Sequence, residues 1–137
     1  MHSHDITFQE MNDFLVSNGF RMLDLPYKNE YVYGKRMDRH DFPLSLRVYT
    51  SIGKNDSAIG LDSIRLVFFT KYQGKPYFVM GLPRIYRAEN WKEVLLRRIE
   101  EARDKHLPVC DKCQSVLLQK SMQQFCPSCE SEPPRQS

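Results

Sequence analysis

Four cysteines, arranged as two Cys-x-x-Cys pairs, constrain this sequence more than any other feature. Cys110 and Cys113 form the first pair, Cys126 and Cys129 form the second, and twelve residues separate the two pairs. These are all of the cysteines in the 137-residue chain. A two-residue gap lets both sulfur atoms of a pair turn toward one metal ion, and two such turns supply four tetrahedral ligands. The spacing therefore predicts a structural zinc site, with Zn²⁺ as the cofactor.

Other uses of paired cysteines are open but fit the sequence less well. Two disulfide bonds would need an oxidising compartment, and the N-terminus lacks the charged and then apolar pattern of a secretory signal. A redox-active Cys-x-x-Cys needs only one pair, on a thioredoxin-like βαβ frame that the sequence does not suggest. An iron–sulfur cluster also takes four cysteines, but the symmetric spacing favours zinc. We therefore expect a cytoplasmic protein with reduced, metal-binding thiols.

The segment between the cysteine pairs has the pattern of a short β-hairpin. Residues 116–120 read as one strand and residues 123–125 as the return strand, with a cysteine turn at each end. This arrangement resembles the zinc ribbon family over residues 107–130, and the resemblance implies zinc ligation by the four cysteines. Zinc ribbons occur in transcription factors, topoisomerase tails, RNA polymerase subunits and adaptors. The segment lacks the glycines and the aromatic-plus-basic run of the topoisomerase tail type, which argues against direct DNA binding by the ribbon.

Charge is distributed unevenly along the chain, whose formal net charge is +3. Residues 63–105 hold ten Lys or Arg and five Asp or Glu, whereas residues 106–137 hold three of each. Four zinc-bound thiolates and their ion together add negative charge, so a zinc-loaded ribbon becomes acidic. The basic surface therefore belongs to the centre of the chain, and contacts to phosphate groups would have to be made there.

The pattern before the cysteines predicts an α+β domain over residues 1–106. A capping box at Thr7 begins a helix that Asn18-Gly19 ends, and Asn90 caps a second helix with an apolar stripe. Strand patterns occur at residues 20–25, 30–37, 44–52, 62–72 and 77–82. We expect an antiparallel sheet of about five strands with two helices on one face, followed by the small C-terminal zinc ribbon over 107–130 and a disordered tail over 131–137.

Alternation along the strands assigns side chains to the two faces of this sheet. Leu46, Val48 and Leu66 point toward the helices, while basic and aromatic side chains occupy the opposite, open face. The predicted open-face contacts are Arg47, Tyr49, Arg65, Lys71, Tyr31, Tyr33 and Lys35. Phe69 falls on the same face between Arg65 and Lys71. Cations for phosphate groups and flat rings for bases favour binding of single-stranded DNA or RNA. The protein would then be an accessory factor that acts with a larger replication, repair or transcription protein.

Two other functions remain open from the sequence. The acidic, zinc-loaded ribbon would suit a protein-interaction adaptor that docks on a larger machine. Asp38, His40 and Asp41 lie in one charged turn, and together with Asp62 they would suit a metal-dependent nuclease. A solvated loop collects the same residue types, and no nucleophile with a neighbouring base is evident, so we do not expect an enzyme. No apolar run reaches the ~18 residues needed to cross a bilayer, so we expect no membrane partner.

Overall fold

A five-stranded antiparallel sheet lies at the centre of the computed structural model, which describes residues 5–25, 29–39, 42–53, 58–60, 63–82 and 90–129. In chain order the elements are β1 (Asp5–Thr7), α1 (Phe8–Ser17), β2 (Arg21–Leu23), β3 (Glu30–Arg36), β4 (Ser45–Gly53), β5 (Ala58–Gly60), β6 (Arg65–Tyr72), β7 (Lys75–Gly81), α2 (Trp91–Glu101), a π-helical turn (Ala102–His106), β8 (Leu118–Lys120) and β9 (Gln123–Phe125). The central sheet has the order β2-β3-β4-β6-β7, while β1-β5 and β8-β9 form two-stranded ladders. The predicted α+β class is confirmed.

Helix α1 begins and ends where its sequence signals predict. The Thr7 hydroxyl accepts a hydrogen bond from the Glu10 amide at 3.1 Å, and the Glu10 carboxylate accepts one from the Thr7 amide at 3.3 Å. This reciprocal pair satisfies amide groups that the first helical turn leaves without partners. Gly19 then takes a φ of +88°, a value that favours glycine and ends the helix. The helix buries Met11, Phe14 and Leu15.

Helix α2 packs beside α1 on the same face of the sheet. It begins directly after Asn90, as predicted, although the Asn90 side chain makes no capping hydrogen bond to any described residue. The Trp91 ring meets the Phe14 ring edge-on, with 5.0 Å between their centres. Both helices share one hydrophobic cluster with the sheet residues Leu46, Val48, Leu66 and Phe68. Neither helix in the described part of the chain is long and apolar enough to span a bilayer.

The β6-β7 hairpin forms one edge of the central sheet and contains a tight turn and a β-bulge. Gln73 and Gly74 both have positive φ values, +55° and +78°, as a tight two-residue turn requires. Phe68 pairs with Met80 but Phe69 pairs with Phe78, so Val79 is an additional residue in β7. The register set by the turn places Phe78 beside Phe69 on the open face, and the bulge after it brings both Val79 and Met80 to the core side of β7.

The cysteine-bearing hairpin packs against the same hydrophobic cluster as the helices. Val116, Leu118 and Phe125 are all nearly inaccessible to solvent and belong to that cluster. The Phe125 ring lies 5.8 Å from the ring of Tyr72 and 5.7 Å from that of Tyr77. The core is thus continuous across the predicted domain boundary after residue 106. The division into two domains stays a prediction, and residues 131–137 lie outside the described ranges.

Candidate metal centre and sheet surface

The side chains of the four cysteines come together at the C-terminal end of the described chain. All four sulfur atoms lie within 4.8 Å of one another. The Sγ atom of Cys113 is 3.4 Å from those of Cys126 and Cys129, and Cys110 Sγ is 3.8 Å from Cys129 Sγ. Each of these described residues is a free thiol. The cluster could therefore hold one metal ion, as the cysteine spacing predicts.

Short backbone turns aim the first pair of thiols inward. The Cys110 amide donates to the Ser115 carbonyl at 2.8 Å, and the Gln114 amide donates to the Cys110 carbonyl at 2.9 Å. The Lys112 amide points at Cys110 Sγ from 3.4 Å. Gln114 has a φ of +65°, which closes this turn back toward β8. The two-residue spacing suits this geometry, because it lets both sulfur atoms of a pair turn toward one point.

The second pair is built in the same way and is joined to the first. The Cys129 amide donates to Cys126 Sγ at 3.2 Å. The hydroxyl groups of Ser115 and Ser128, one from each turn, lie 2.7 Å apart. Between the turns, β8 pairs with β9 through residues 118–120 and 123–125. The hairpin therefore holds the two pairs together by hydrogen bonds that need no metal.

The electrostatics of the cluster lower the thiol pKa at two positions and raise it at the other two. Hydrogen bonds from Ser115 lower the pKa of Cys113 to about 6, and backbone amides of Cys113 and Lys112 lower the pKa of Cys110. Burial raises the pKa of Cys126, while hydrogen bonding to the neighbouring Cys113 sulfur raises the pKa of Cys129 to about 12. Four thiolates so close repel one another, and a bound cation would remove that repulsion.

The predicted open-face residues of β3 lie on the other face of the sheet, next to helix α1. Tyr33 is completely buried, and its hydroxyl donates to the Asn12 side chain at 2.7 Å. The Tyr31 ring lies 4.4 Å from the ring of Phe8. Tyr31, Tyr33 and Lys35 alternate onto one face, so assigning them to the open surface was wrong.

Strand register explains this correction. Tyr33 pairs with Val48 and Lys35 pairs with Leu46, and those two partners point into the core. The Lys35 ammonium group donates to the Asn18 carbonyl at 2.7 Å, at the C-terminal end of α1. Both faces of β3 mix polar and apolar residues, so alternation alone could not choose between them.

The remaining predicted residues of β4 and β6 do lie on the open face, in contact with one another. The Arg47 guanidinium lies 5.1 Å from the centre of the Phe69 ring and donates to the Tyr49 hydroxyl at 3.4 Å. The Arg65 guanidinium lies 4.8 Å from the centre of the Tyr49 ring. Tyr49 is only 7% exposed, so its ring has no face available for a base. Its expected role in stacking is not supported by this environment.

Arg65 also has an internal partner for its charge. Glu30 Oε1 lies 3.4 Å from Arg65 Nη2, and the other carboxylate oxygen of Glu30 accepts a hydrogen bond from the Ser51 amide. At this end of the open face, the positive charge of Arg65 is therefore balanced by the negative charge of Glu30. Lys71, farther along β6, is exposed.

Sequence reasoning missed the exposed aromatic residue of the open face, Phe78. Its side chain is 37% exposed, and its ring meets the Phe69 ring edge-on, with 6.3 Å between their centres. Alternation identified Phe69, but the place of Phe78 depends on where the β6-β7 turn lies. Phe78 pairs with Phe69 because the turn contains only Gln73 and Gly74, whereas the sequence pattern began the return strand at residue 77.

The residues considered for a nuclease are only partly within the described ranges. Asp38 accepts hydrogen bonds from Arg36 Nε at 2.9 and 3.0 Å and from the Leu44 amide at 3.1 Å. The Arg36 guanidinium, followed by the Leu44 amide, lowers the pKa of Asp38. These bonds give Asp38 a structural role at the end of β3. His40, Asp41 and Asp62 lie outside the described residues.

No protein-family model, curated protein or solved structure matches this chain. The class of protein must therefore be defined by the fold and the site themselves. They define an α+β protein with a C-terminal four-cysteine cluster that could bind a metal ion.

Proposed function

We propose that the four cysteines form a structural zinc site and that residues 107–130 are a zinc ribbon. A tetrahedral zinc ion with Zn–S bonds of about 2.3 Å holds its sulfur ligands about 3.8 Å apart. Three sulfur–sulfur distances in the cluster, 3.4, 3.4 and 3.8 Å, are close to that value. Four cysteine ligands leave no position for water or substrate, which is typical of structural rather than catalytic zinc.

The zinc-stabilised module binds single-stranded DNA or RNA through the open face of its sheet. The observation that carries this part of the proposal is the exposed ring of Phe78, which lies against the Phe69 ring, while the Arg47 guanidinium lies over that same Phe69 ring. Exposed aromatic rings next to cations suit single-stranded nucleic acid, because every base has a flat face and every nucleotide has a phosphate. Lys71 adds an exposed cation on the same face.

Two measurements test the proposal in order. Elemental analysis of the purified full-length chain is expected to give one zinc ion per chain, and Cys113→Ser combined with Cys126→Ser to lower that content. Fluorescence anisotropy with labelled single-stranded and duplex oligonucleotides is then made at two salt concentrations. We expect tighter binding to the single strand, with an affinity that falls as salt rises. Iron in place of zinc, or absence of salt-dependent single-strand binding, would contradict the corresponding part.

One observation favours a second function, docking on another protein through the tip of the cysteine hairpin. Met122 at this tip is 94% exposed, which is unusual for a large apolar side chain. The adaptor function predicts that Met122→Asp abolishes partner binding and leaves oligonucleotide binding unchanged. The nucleic-acid function predicts that Phe78→Ala weakens oligonucleotide binding and that Met122→Asp does not. This pair of variants therefore separates the two functions.

A further inference from the structure

The open face of the sheet carries one row of side chains that crosses four strands. Arg36 of β3 pairs with Ser45 of β4, Ser45 pairs with Phe69 of β6, and Phe69 pairs with Phe78 of β7. Paired residues on neighbouring antiparallel strands point to the same side of a sheet. The row therefore begins with a cation, continues through a hydroxyl group, and ends with two aromatic rings.

A groove opens at the cationic end of this row. It has a volume of about 360 Å³, and Arg36, Ser45 and Lys71 are among the residues that line it. Lys71 follows Phe69 by two residues on β6, so it points to the same side of the sheet as the row. The groove is thus lined by two cationic side chains and by Ser45, together with Pro43, Leu44 and Thr70.

The charges in this groove are only partly neutralised. Both carboxylate oxygens of Asp38 accept a hydrogen bond from the Nε atom of Arg36. The two terminal nitrogen atoms of Arg36 are not used in these two bonds. The Arg36 side chain is 72% exposed. Among the described residues, no carboxylate forms an ion pair with Lys71. The Arg36 end therefore has one cation, Lys71, in addition to an ion pair, whereas at the other end of the open face Glu30 pairs with Arg65.

We propose that this groove is the phosphate subsite for the single-stranded nucleic acid, an inference that rests on the proposed function. Arg36 and Lys71 contact one phosphodiester group, and the Ser45 hydroxyl donates a hydrogen bond to it. A neighbouring base stacks on Phe78 at the far end of the row. The strand therefore lies across β3, β4, β6 and β7 at the Arg36 end of the sheet and avoids the Glu30–Arg65 end.

The test compares matched charge removals at the two ends of the face in the full-length, zinc-loaded protein. Lys71→Gln should weaken single-strand binding and reduce the salt slope by about 0.7, the value for one phosphate contact. Arg36→Gln should act in the same direction. Arg65→Gln removes a cation of β6 that Glu30 already pairs with, so it should lower affinity and salt slope less than Lys71→Gln does. Fluorescence of Trp91, buried between the helices, verifies that each variant is folded.

An abasic oligonucleotide separates the phosphate contact from the stacking contact. Phe78→Ala should weaken binding of an ordinary single strand by about 5- to 150-fold and leave binding of the abasic strand unchanged. Lys71→Gln should weaken binding of both strands. Failure of the wild-type protein to bind any single strand would refute the proposed function itself. Wild-type binding that depends on Arg65 and not on Lys71 would overturn the phosphate subsite alone.

Discussion

Tyr33 shows how a polar residue becomes part of the core. Its ring is completely buried, and its hydroxyl donates to the Asn12 side chain at 2.7 Å. Burial, with smaller contributions from Tyr31 and Asp13, raises the pKa of Tyr33 to about 12, so the hydroxyl stays protonated. A buried hydroxyl group without a partner would cost stability, and the hydrogen bond to α1 prevents that cost.

Tyr33→Phe should lower the free energy of unfolding by about 1 kcal/mol, because it removes this hydrogen bond without changing the packed ring. Urea denaturation measures the difference. In an Asn12→Ala background the same change should cost less, since the bond is already absent. Equal costs in the two backgrounds would mean that the hydroxyl contributes through some other contact.

Asp38 should make the stability depend on pH in the acidic range. The folded-state pKa of Asp38 is lowered from its usual 3.8, mainly by Arg36 and then by the Leu44 amide. Its stabilising contribution is therefore present above pH 3.8 and is lost as the pH falls through the lowered value. The effect is small because the pair is exposed. The stability advantage of the wild type over Asp38→Asn, measured by urea denaturation, should shrink in this range, and a growing advantage would contradict the assignment.

At the scale of elements, sequence patterns predicted those structures whose physical causes are local. The capping box predicted the start of α1, strict alternation identified β4 and β6, and the two-residue cysteine spacing predicted the four-cysteine cluster that could hold a metal ion. Strand β3 was predicted, but which of its two faces points to the core depends on the strands it pairs with. Its two faces have similar polarity, so the sequence pattern does not distinguish them. The β1-β5 ladder was missed because each strand has only three residues and its partner is distant in sequence.

Phe125 at the end of β9 connects the cysteine hairpin to the β6-β7 hairpin. It is 5% exposed and touches both Tyr72 and Tyr77. Phe125→Ala should lower the free energy of unfolding by about 3–5 kcal/mol, as for other buried Phe truncations. Met122→Ala in the preceding turn is the matched control and should change it little, because Met122 is 94% exposed. Thermal denaturation followed by circular dichroism compares them, and similar costs would show that Phe125 is not a core residue in solution.

At the scale of the whole molecule, one hydrophobic cluster includes both helices, the sheet and the cysteine hairpin. Most of that cluster lies before residue 107, whereas the hairpin contributes Val116, Leu118 and Phe125. We therefore expect the helices and sheet to remain folded without metal, although less stably.

Removal of zinc with a chelator should lower the melting temperature but keep one cooperative transition. The single tryptophan, Trp91, reports on the packing of α1 against α2, so its emission should stay that of a buried residue after chelation. A fragment that ends near residue 106 should also fold but be less stable than the chelated protein, because it lacks Val116, Leu118 and Phe125 of the shared core. Complete loss of the transition on chelation would mean that the metal centre and the sheet fold as one unit.

The π-helical turn over Ala102–His106 lies between α2 and the cysteine hairpin, and it sets the direction from which that hairpin approaches the sheet. A π-helical turn contains one residue more than an α-helical turn. Deleting the exposed Lys105 would let this turn return to α-helical spacing and would leave the direction of the following segment nearly unchanged, because about five residues of π-helix take the place of four in an α-helical turn. The thiols would keep their mutual spacing, because their hydrogen bonds are local to the hairpin. Phe125 would therefore still reach Tyr72 and Tyr77, whereas deleting a residue within α2, ahead of this turn, would rotate the cysteine hairpin by about 100° and turn Phe125 away from them.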